Sequence, residues 1–321
     1  MGFEGLAPSA SFLLGGLLLD AAFGDPQIRL HPIRLIGDTL RMFERFLRRA
    51  GFTGYAGGCA LFLVLALVWV VMPSIAIHEL FLRSPRSGIV AHVLSVFVLF
   101  AMRDLIDHVR AVRSAGRRED LKDTHAAIAM LVGRDTGPMD IAACRRASIE
   151  SLAENFVDGF LSALFWYAIA GLPGLLLFKV VSTMDSMVGY KTERYFRFGW
   201  CGARLDDVMN FIPARLAWIL LGLCAVPFRD LSAPKAWSIG LAQHGILPGP
   251  NPGWSEATMA GLLQRRLIGP IWKDGAQVTD VWLGDPEDPP AASDADVGNA
   301  LKVTVTAACA STLLTVVALS V

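Results

Sequence analysis

The stretch 55–77 constrains this chain more than any other feature, because it is an unbroken apolar run that contains no charged residue. A helix of roughly 20 such residues crosses the hydrocarbon core of a bilayer. The run 303–321 meets the same criterion. The mean hydropathy of +0.48 and a hydrophobic fraction of 54% are well above those of soluble domains. The sequence therefore predicts an integral membrane protein.

Weaker apolar runs extend this prediction. The runs 6–19 and 89–102 are shorter than a full span, and 159–178 is interrupted at 171–174 by Gly-Leu-Pro-Gly. The run 216–228 is too short to cross alone, and extending it back to 211 takes in Arg215. We expect an all-α, polytopic membrane fold with about four to six membrane segments. A re-entrant hairpin is expected at 159–178, and 211–228 is expected to be re-entrant or interfacial.

Charge distribution predicts the orientation, because Lys and Arg are enriched in cytoplasmic loops. The loop 29–49 and the segment 103–146 are both rich in arginine, and two predicted spans separate them. Basic residues also flank both ends of 159–178, which a re-entrant hairpin explains. We therefore expect a multi-pass protein of the cytoplasmic (inner) membrane with its active site facing the cytosol.

The remaining segments predict one membrane domain over 1–321. Apolar residues at helical spacing predict a charged, helical cytoplasmic segment at 104–146. The acidic, proline-rich stretch 284–296 predicts a flexible linker. The five cysteines are scattered singly, which indicates neither a disulfide framework nor a zinc site.

The stretch "ESLAENFVDG" at 150–159 places three carboxylates before an apolar run. In a helix, Glu150, Glu154 and Asp158 repeat at i, i+4 and i+8 and share one face. Aligned like charges repel one another unless a cation compensates, so the pattern indicates a Mg²⁺ site or pairing with Arg or Lys. A solvated helix end paired with Arg145 and Arg146 is the alternative.

A second polar block occupies 182–216 and lies between apolar runs. Its polar residues are Asp185, Lys191, Glu193, Arg194, Arg204, Asp206, Asp207, Asn210 and Arg215. Asp206 and Asn210 are one helical turn apart and supply the hard oxygen ligands that Mg²⁺ prefers. The cations are natural partners for phosphate or carboxylate. The alternative is an interfacial belt in which the long cationic side chains reach toward water.

Four stretches together resemble one family. They are "LLLDAAFGDPQIRLHPIRLIG", "SIESLAENFVDGFLSALFW", "TMDSMVGYKTERYFRFGWCGARLDDVMNFIPARL" and "NPGWSEATMAGLL". Their order and spacing are similar to those of the CobD/CbiB family of adenosylcobinamide-phosphate synthases, over about residues 13–269. Pro252 stands where the family has a small residue such as alanine, and we expect this proline to stiffen the turn.

The resemblance implies an ATP-dependent amide ligase of cobalamin biosynthesis that uses ATP and Mg²⁺. Such an enzyme joins aminopropanol, as its phosphate, to the propionate carboxylate of adenosylcobyric acid. Expected partners are these substrates, membrane lipid and neighbouring enzymes of the pathway, and no nucleic acid. Two alternatives stay open: a corrinoid-binding or transporting membrane protein without ligase activity, and an Asp-rich membrane transferase.

We assign hypothetical roles by chemistry, and we expect these groups to converge on one cytosol-facing pocket. The predicted metal ligands are Glu150, Glu154, Asp158, Asp206, Asp207 and Asn210. The predicted catalytic residues are Glu154, Asp185 and Asp206. The predicted nucleotide-binding residues are Lys191, Arg194, Arg204, Arg215, Asn155 and Asn251.

Overall fold

A computed structural model describes residues 5–26 and 28–321, and most of them are helical. The α-helices are α1 Ala10–Phe23, α2 Pro32–Arg49, α3 Tyr55–Ala66, α4 Met72–Arg83, α5 Pro85–Leu99, α6 Met102–Arg117, α7 Leu121–Ile128, α8 Ile141–Asn155, α9 Ser162–Val188, α10 Trp200–Ala225, α11 Ala233–Gln243, α12 Pro252–Leu263 and α13 Asp294–Ala318. Two π-helical segments, Leu67–Val71 and Phe156–Leu161, join α3 to α4 and α8 to α9. The all-α prediction is confirmed.

Among the described residues, 5 helical segments are long and apolar enough to cross a membrane. They are Tyr55–Arg83, Pro85–Arg117, Ile141–Val188, Trp200–Ala225 and Asp294–Ala318. Three of them contain the apolar runs predicted at 55–77, 89–102 and 159–178, and Asp294–Ala318 covers the predicted run 303–321 as far as Ala318. The polytopic membrane architecture predicted from hydropathy is therefore confirmed, while α1 is a shorter apolar helix.

The fifth segment, α10, differs from the expectation for 211–228. It is a continuous helix of 26 residues that begins at Trp200 and contains Pro213. At 1.5 Å per residue this helix is about 39 Å long, which is enough to cross a bilayer. The expected segment 211–228 begins after the polar residues Arg204, Asp206, Asp207 and Asn210, and its apolar part is too short to cross the lipid because the segment contains Arg215. In the structure α10 extends through its charged residues, two of which, Arg204 and Asp207, pair with each other.

A break in α9 occurs where the sequence predicted one. Gly171 has φ 62° and ψ −148°, outside the helical region. A Cβ at this position would lie 2.1 Å from the Leu6 carbonyl oxygen, and the Leu172 N–H donates to that oxygen at 3.0 Å. The segment before α1 thus satisfies a backbone group that the break releases.

Two side chains hold this same N-terminal segment. A ring nitrogen of His92, Nδ1, lies 2.8 Å from the Gly5 carbonyl oxygen. The Tyr167 hydroxyl donates to the Ser9 carbonyl and lies 3.3 Å from it. The other ring nitrogen of His92 lies 3.0 Å from the Tyr167 hydroxyl, so both side chains belong to one buried network.

The chain divides into two compact units. Unit 1 contains the described residues of Met1–Ala101 together with Ser162–Asn210 and Thr312–Val321, and unit 2 contains Met102–Leu161 and Phe211–Ser311. In unit 1, residues of α2, α3 and α9 form a buried core that includes Leu40, Leu61 and Met184. In unit 2, α6, α7 and α8 pack through Val112, Ile128 and Cys144.

A β-hairpin in unit 2 was not predicted. Strands β1 Leu267–Lys273 and β2 Ala276–Leu283 pair in antiparallel fashion. Asp274 and Gly275 form the turn, with φ 52° and 76°. Asp-Gly with two positive φ values is a strong signal for a two-residue hairpin, so the sequence contained this information.

The segment predicted as an acidic linker carries several ion pairs within unit 2. Asp288 pairs with Lys235 at 3.2 Å, and Asp294, the first residue of α13, pairs with Arg113 at 2.9 Å. The mobility of 284–296 stays a prediction. The partner cations are far away in sequence, which is why composition alone did not reveal these contacts.

Candidate functional site

The end of α9 and the start of α10 carry the carboxylates of unit 1. Asp185 lies in the last turn of α9, and Asp206 lies in the second turn of α10. Asn210 is buried and donates from Nδ2 to the Asp206 carboxylate at 2.9 Å. The Ser162 hydroxyl donates to the Asn210 side-chain oxygen, so the amide has a fixed orientation. Asp206 is therefore positioned by a chain of two buried polar side chains.

Asp185 and Asp207 lie near Asp206, and the three carboxylates are close enough to repel one another. Asp207 also accepts from Arg204 at 3.0 Å. Mg²⁺ in phosphate-transfer sites binds through one or two carboxylates and completes its shell with water and phosphate oxygens. This donor set suits such an ion. The residues that the structure describes contain no group of three or more His, Cys, Asp or Glu side chains arranged to hold a metal by themselves.

A basic cleft lies beside the loop 189–199, which connects α9 to α10. Its cations are Arg48, from the last turn of α2, together with Lys191, Arg194 and Arg197 from the loop. The volume of the cleft is about 800 Å³, within the usual range for small-molecule sites. Thr53, Thr192 and one acid, Glu193, also line it. The loop lies outside the candidate membrane spans.

Glu44 orients two of these arginines. Its carboxylate is buried and accepts from Arg48 Nε at 2.8 Å and from Arg194 Nη2 at 2.9 Å. Arg48 Nη2 also donates to the Arg194 carbonyl at 3.0 Å, and its guanidinium lies 4.5 Å from the centre of the Phe198 ring. The hydrogen bonds that Arg194 donates to Glu44 raise the pKa of Arg194, so this exposed guanidinium stays charged.

Glu150, in unit 2, is held by protein donors on both oxygens. Arg134 pairs with Oε2, and the Ile268 N–H donates to Oε1 at 2.8 Å. The second contact fastens the start of the hairpin to α8. Metal binding by Glu150 stays a prediction, and it requires one of these donors to leave.

Glu154 and Asp158 lie near another acid, Glu256 of α12. Burial raises the pKa of Glu256 well above its ordinary value, and repulsion from Glu154, Glu150 and Asp158 adds to this. Asp158 belongs to the π-helical segment rather than to α8, so the three predicted carboxylates do not follow one ideal helical face. Their predicted metal and catalytic roles stay predictions. Two cations, Arg134 and Arg146, lie within ion-pair distance of Glu150, so the alternative of pairing with Arg146 is confirmed for this carboxylate.

The other predicted nucleotide-binding residues of unit 2 contact their own surroundings. Asn155 donates to the Ser151 carbonyl one turn back in its helix, at 2.8 Å. Arg215 donates to the Asn251 side chain at 3.1 Å and to the Phe211 carbonyl at 2.8 Å. Its guanidinium also lies 5.0 Å from the centre of the Trp254 ring. Pro252 is the first residue of α12, a favourable position for proline.

The structure thus brings Asp185, Asp206, Asp207 and Asn210 together in unit 1, and Glu150, Glu154 and Asp158 together in unit 2. Sequence reasoning did not assign roles to Glu44, Arg48, Arg134 or Arg197. The i, i+4 spacing of Glu44 and Arg48 was a readable signal for their ion pair. Nothing in the sequence pattern links Arg134 to Glu150.

Comparison with known proteins gives one consistent match. A family model described as CobD/Cbib protein matches residues 13–304. Cobalamin biosynthesis protein CobD of a Sinorhizobium species is 40% identical over 296 residues, which cover 89% of this chain and 91% of the relative. Cobalamin biosynthesis protein CbiB of Salmonella typhimurium is 38% identical over 275 residues, covering 84% and 85%. No solved structure matches the chain.

Proposed function

Because this chain belongs to the CobD/CbiB protein family, we propose that it acts in cobalamin biosynthesis as an ATP-dependent amide ligase. It joins aminopropanol, as its phosphate, to the propionate carboxylate of adenosylcobyric acid and forms adenosylcobinamide phosphate. ATP is the co-substrate and Mg²⁺ the metal cofactor. The family assignment supports the pathway, and the site in unit 1 supports the reaction class.

The reaction requires activation of a carboxylate, which is a poor electrophile. A propionate oxygen attacks the γ-phosphorus of ATP, and ADP leaves. The amine then attacks the acyl carbon, phosphate leaves, and the nitrogen loses a proton. Mg²⁺ neutralises charge on the transferring phosphoryl group. The protein must therefore present carboxylates for the metal, cations for phosphate and a proton acceptor for the amine.

One observation carries the proposal: in unit 1, carboxylates that can bind a metal flank a loop whose cations can bind phosphate. Asp185 precedes the loop 189–199 and Asp206 follows it, while Lys191, Arg194 and Arg197 lie within it. In the proposed mechanism Asp206 holds the metal. Asp185, a half-buried carboxylate close to Asp206, holds the metal or accepts the proton of the amine.

The proposed location is the cytoplasmic membrane with the site facing the cytosol, where ATP is available. The excess of arginine in the loop 29–49 and the segment 103–146 supports this orientation. Membrane lipid and other enzymes of the pathway are proposed neighbours.

The test uses the full chain purified in a neutral detergent. It is incubated with adenosylcobyric acid, aminopropanol phosphate and Mg-ATP, and ADP and the new amide are quantified by mass spectrometry. We expect amide formation that stops when ATP is omitted or Mg²⁺ is chelated. Corrinoid binding without ADP release would instead favour a binding or transport protein, for which broken helices such as that at Gly171 are typical.

A further inference from the structure

The basic cleft has a charge balance that predicts an anionic ligand. Four cations, Arg48, Lys191, Arg194 and Arg197, face two acids, Glu44 and Glu193. Glu44 is shared by Arg48 and Arg194, so a single carboxylate compensates both. Among the described residues, neither Lys191 nor Arg197 has a carboxylate within ion-pair distance. The cleft therefore has a surplus of positive charge, and two of its cations, Lys191 and Arg197, have no carboxylate partner among residues 5–26 and 28–321.

The geometry of the cleft is fixed in advance, which distinguishes it from a set of mobile surface cations. Arg48 is held by Glu44, by the Arg194 carbonyl and by the Phe198 ring, and its side chain is only 20% exposed. Arg194 is held by the same carboxylate through both Nε and Nη2. Arginines whose positions are fixed before binding lose less conformational entropy when they bind phosphate oxygens.

We propose that this cleft binds the phosphate group of a soluble substrate and that Glu44 is the positioning residue that orders it. This inference rests on the proposed function, which requires two phosphate-bearing molecules, ATP and aminopropanol phosphate. The threonine hydroxyls of Thr53 and Thr192 supply additional neutral donors. The volume of about 800 Å³ accommodates either molecule.

The test compares ligand binding by the full chain and by variants in neutral detergent, using isothermal titration with Mg-ATP, aminopropanol phosphate and inorganic pyrophosphate. Lys191→Ala and Arg197→Ala remove cations without leaving an unpaired carboxylate. We expect each to weaken binding about tenfold, the loss of one charge-assisted contact. The affected substrate identifies which phosphate the cleft takes. Arg83→Ala is the matched control, because Arg83 pairs with Glu79 in unit 1, outside the cleft, and its side chain is 79% exposed.

The variant Glu44→Gln distinguishes the effect of ordering Arg48 and Arg194 from the effect of the net charge of the cleft. This variant adds a net positive charge, which favours anions at low salt, but it loosens Arg48 and Arg194. At about 1 M salt, where the Debye length is about 3 Å, attraction at a distance is screened and the loss of order dominates. We expect about threefold weaker phosphate binding than in the wild type under those conditions. We also expect a raised KM with unchanged kcat, whereas a merely structural role would lower kcat and the unfolding temperature together.

Unchanged affinities in Lys191→Ala and Arg197→Ala would overturn the inference. So would a loss confined to association with vesicles of anionic phospholipid, because the cleft would then serve as a lipid anchor. The proposed function fails independently, by the absence of ATP-dependent amide formation in the wild type. In that case a loss of pyrophosphate binding in the variants would still support the phosphate cleft.

Discussion

The loop region of unit 1 and the acidic group of unit 2 use charge in opposite ways. Around the loop 189–199, cations outnumber acids and are largely exposed. Around Glu256, acids outnumber cations and two of them, Glu150 and Glu256, are buried. The first arrangement leaves charge available to a ligand, whereas in the second the cations Arg134 and Arg146 both lie within ion-pair distance of the buried Glu150. A cluster of charged residues therefore indicates ligand binding where the charges are exposed and in surplus, and internal pairing where they are buried.

The largest expected effect concerns the acidic group of unit 2. Arg134→Ala removes the nearer of the two guanidinium partners of the buried Glu150 and leaves Arg146 at 3.8 Å, so we expect a loss of up to about 3–5 kcal/mol of unfolding free energy. Denaturant unfolding of the detergent-solubilised protein measures this loss. Arg118→Ala is the control, since its pair with Asp123 is exposed and worth at most about 1 kcal/mol. Equal losses in both variants would remove the distinction between the two regions.

The second prediction concerns catalysis in unit 1. Asp206→Asn keeps the shape of the side chain but removes its charge, and we expect turnover to fall about 100-fold or more, or about 2.7 kcal/mol of transition-state stabilisation. ADP release and amide formation are the measurements. Asp38→Asn, at an exposed pair with Arg41 in the same unit, should retain full activity. A near-normal rate in Asp206→Asn would assign this residue to structure.

The third prediction uses the pKa of Glu256. Because its folded-state pKa lies well above the ordinary value of 4.5, the folded protein binds more protons, and stability falls as pH rises above 4.5 toward the folded pKa. Glu256→Gln removes this penalty, because the amide carries no charge at any of these pH values. Unfolding temperatures measured between pH 4.5 and 8 should therefore diverge, with the variant more stable at the higher pH. Parallel curves for the two proteins would contradict a raised pKa of Glu256 in the folded protein.

The smallest expected effect concerns the hairpin that Glu150 fastens. Gly275 has φ 76° and its Cβ position is open, so Gly275→Ala suffers only the backbone penalty of about 1 kcal/mol. Turnover should be unchanged. Thermal unfolding together with the ligase assay measures both quantities. A large loss of activity would mean that the hairpin does more than pack against α8.

Hydropathy predicted four of the 5 candidate membrane segments, because insertion of a helix into lipid depends mainly on the composition of one contiguous stretch. The break at Gly171 was also predictable from local chemistry. The length of α10 was not, since Arg204 and Asp207 compensate each other inside the helix. The hairpin was overlooked although Asp274-Gly275 is a strong turn signal.

The candidate site likewise has features that the sequence predicted and features that it did not. The residue types of the 182–216 block predicted carboxylates and cations beside one loop. The sequence could not reveal that Glu44, in α2, orders Arg194, because ion pairs between distant residues depend on tertiary packing. The pairing of Arg134 with Glu150 has the same origin. The residue types of the unit 1 groups were therefore predictable from the sequence, while their orientation depends on tertiary contacts.

The contact between Leu6 and the interrupted helix α9 has a practical consequence for anyone handling the protein. The Leu6 carbonyl accepts from Leu172, and Gly5 and Ser9 are engaged by His92 and Tyr167. We expect an affinity tag fused close to Leu6, or proteolysis of this segment, to disturb the hydrogen bonds that satisfy the break in α9. Fusion partners therefore belong at exposed positions away from this segment.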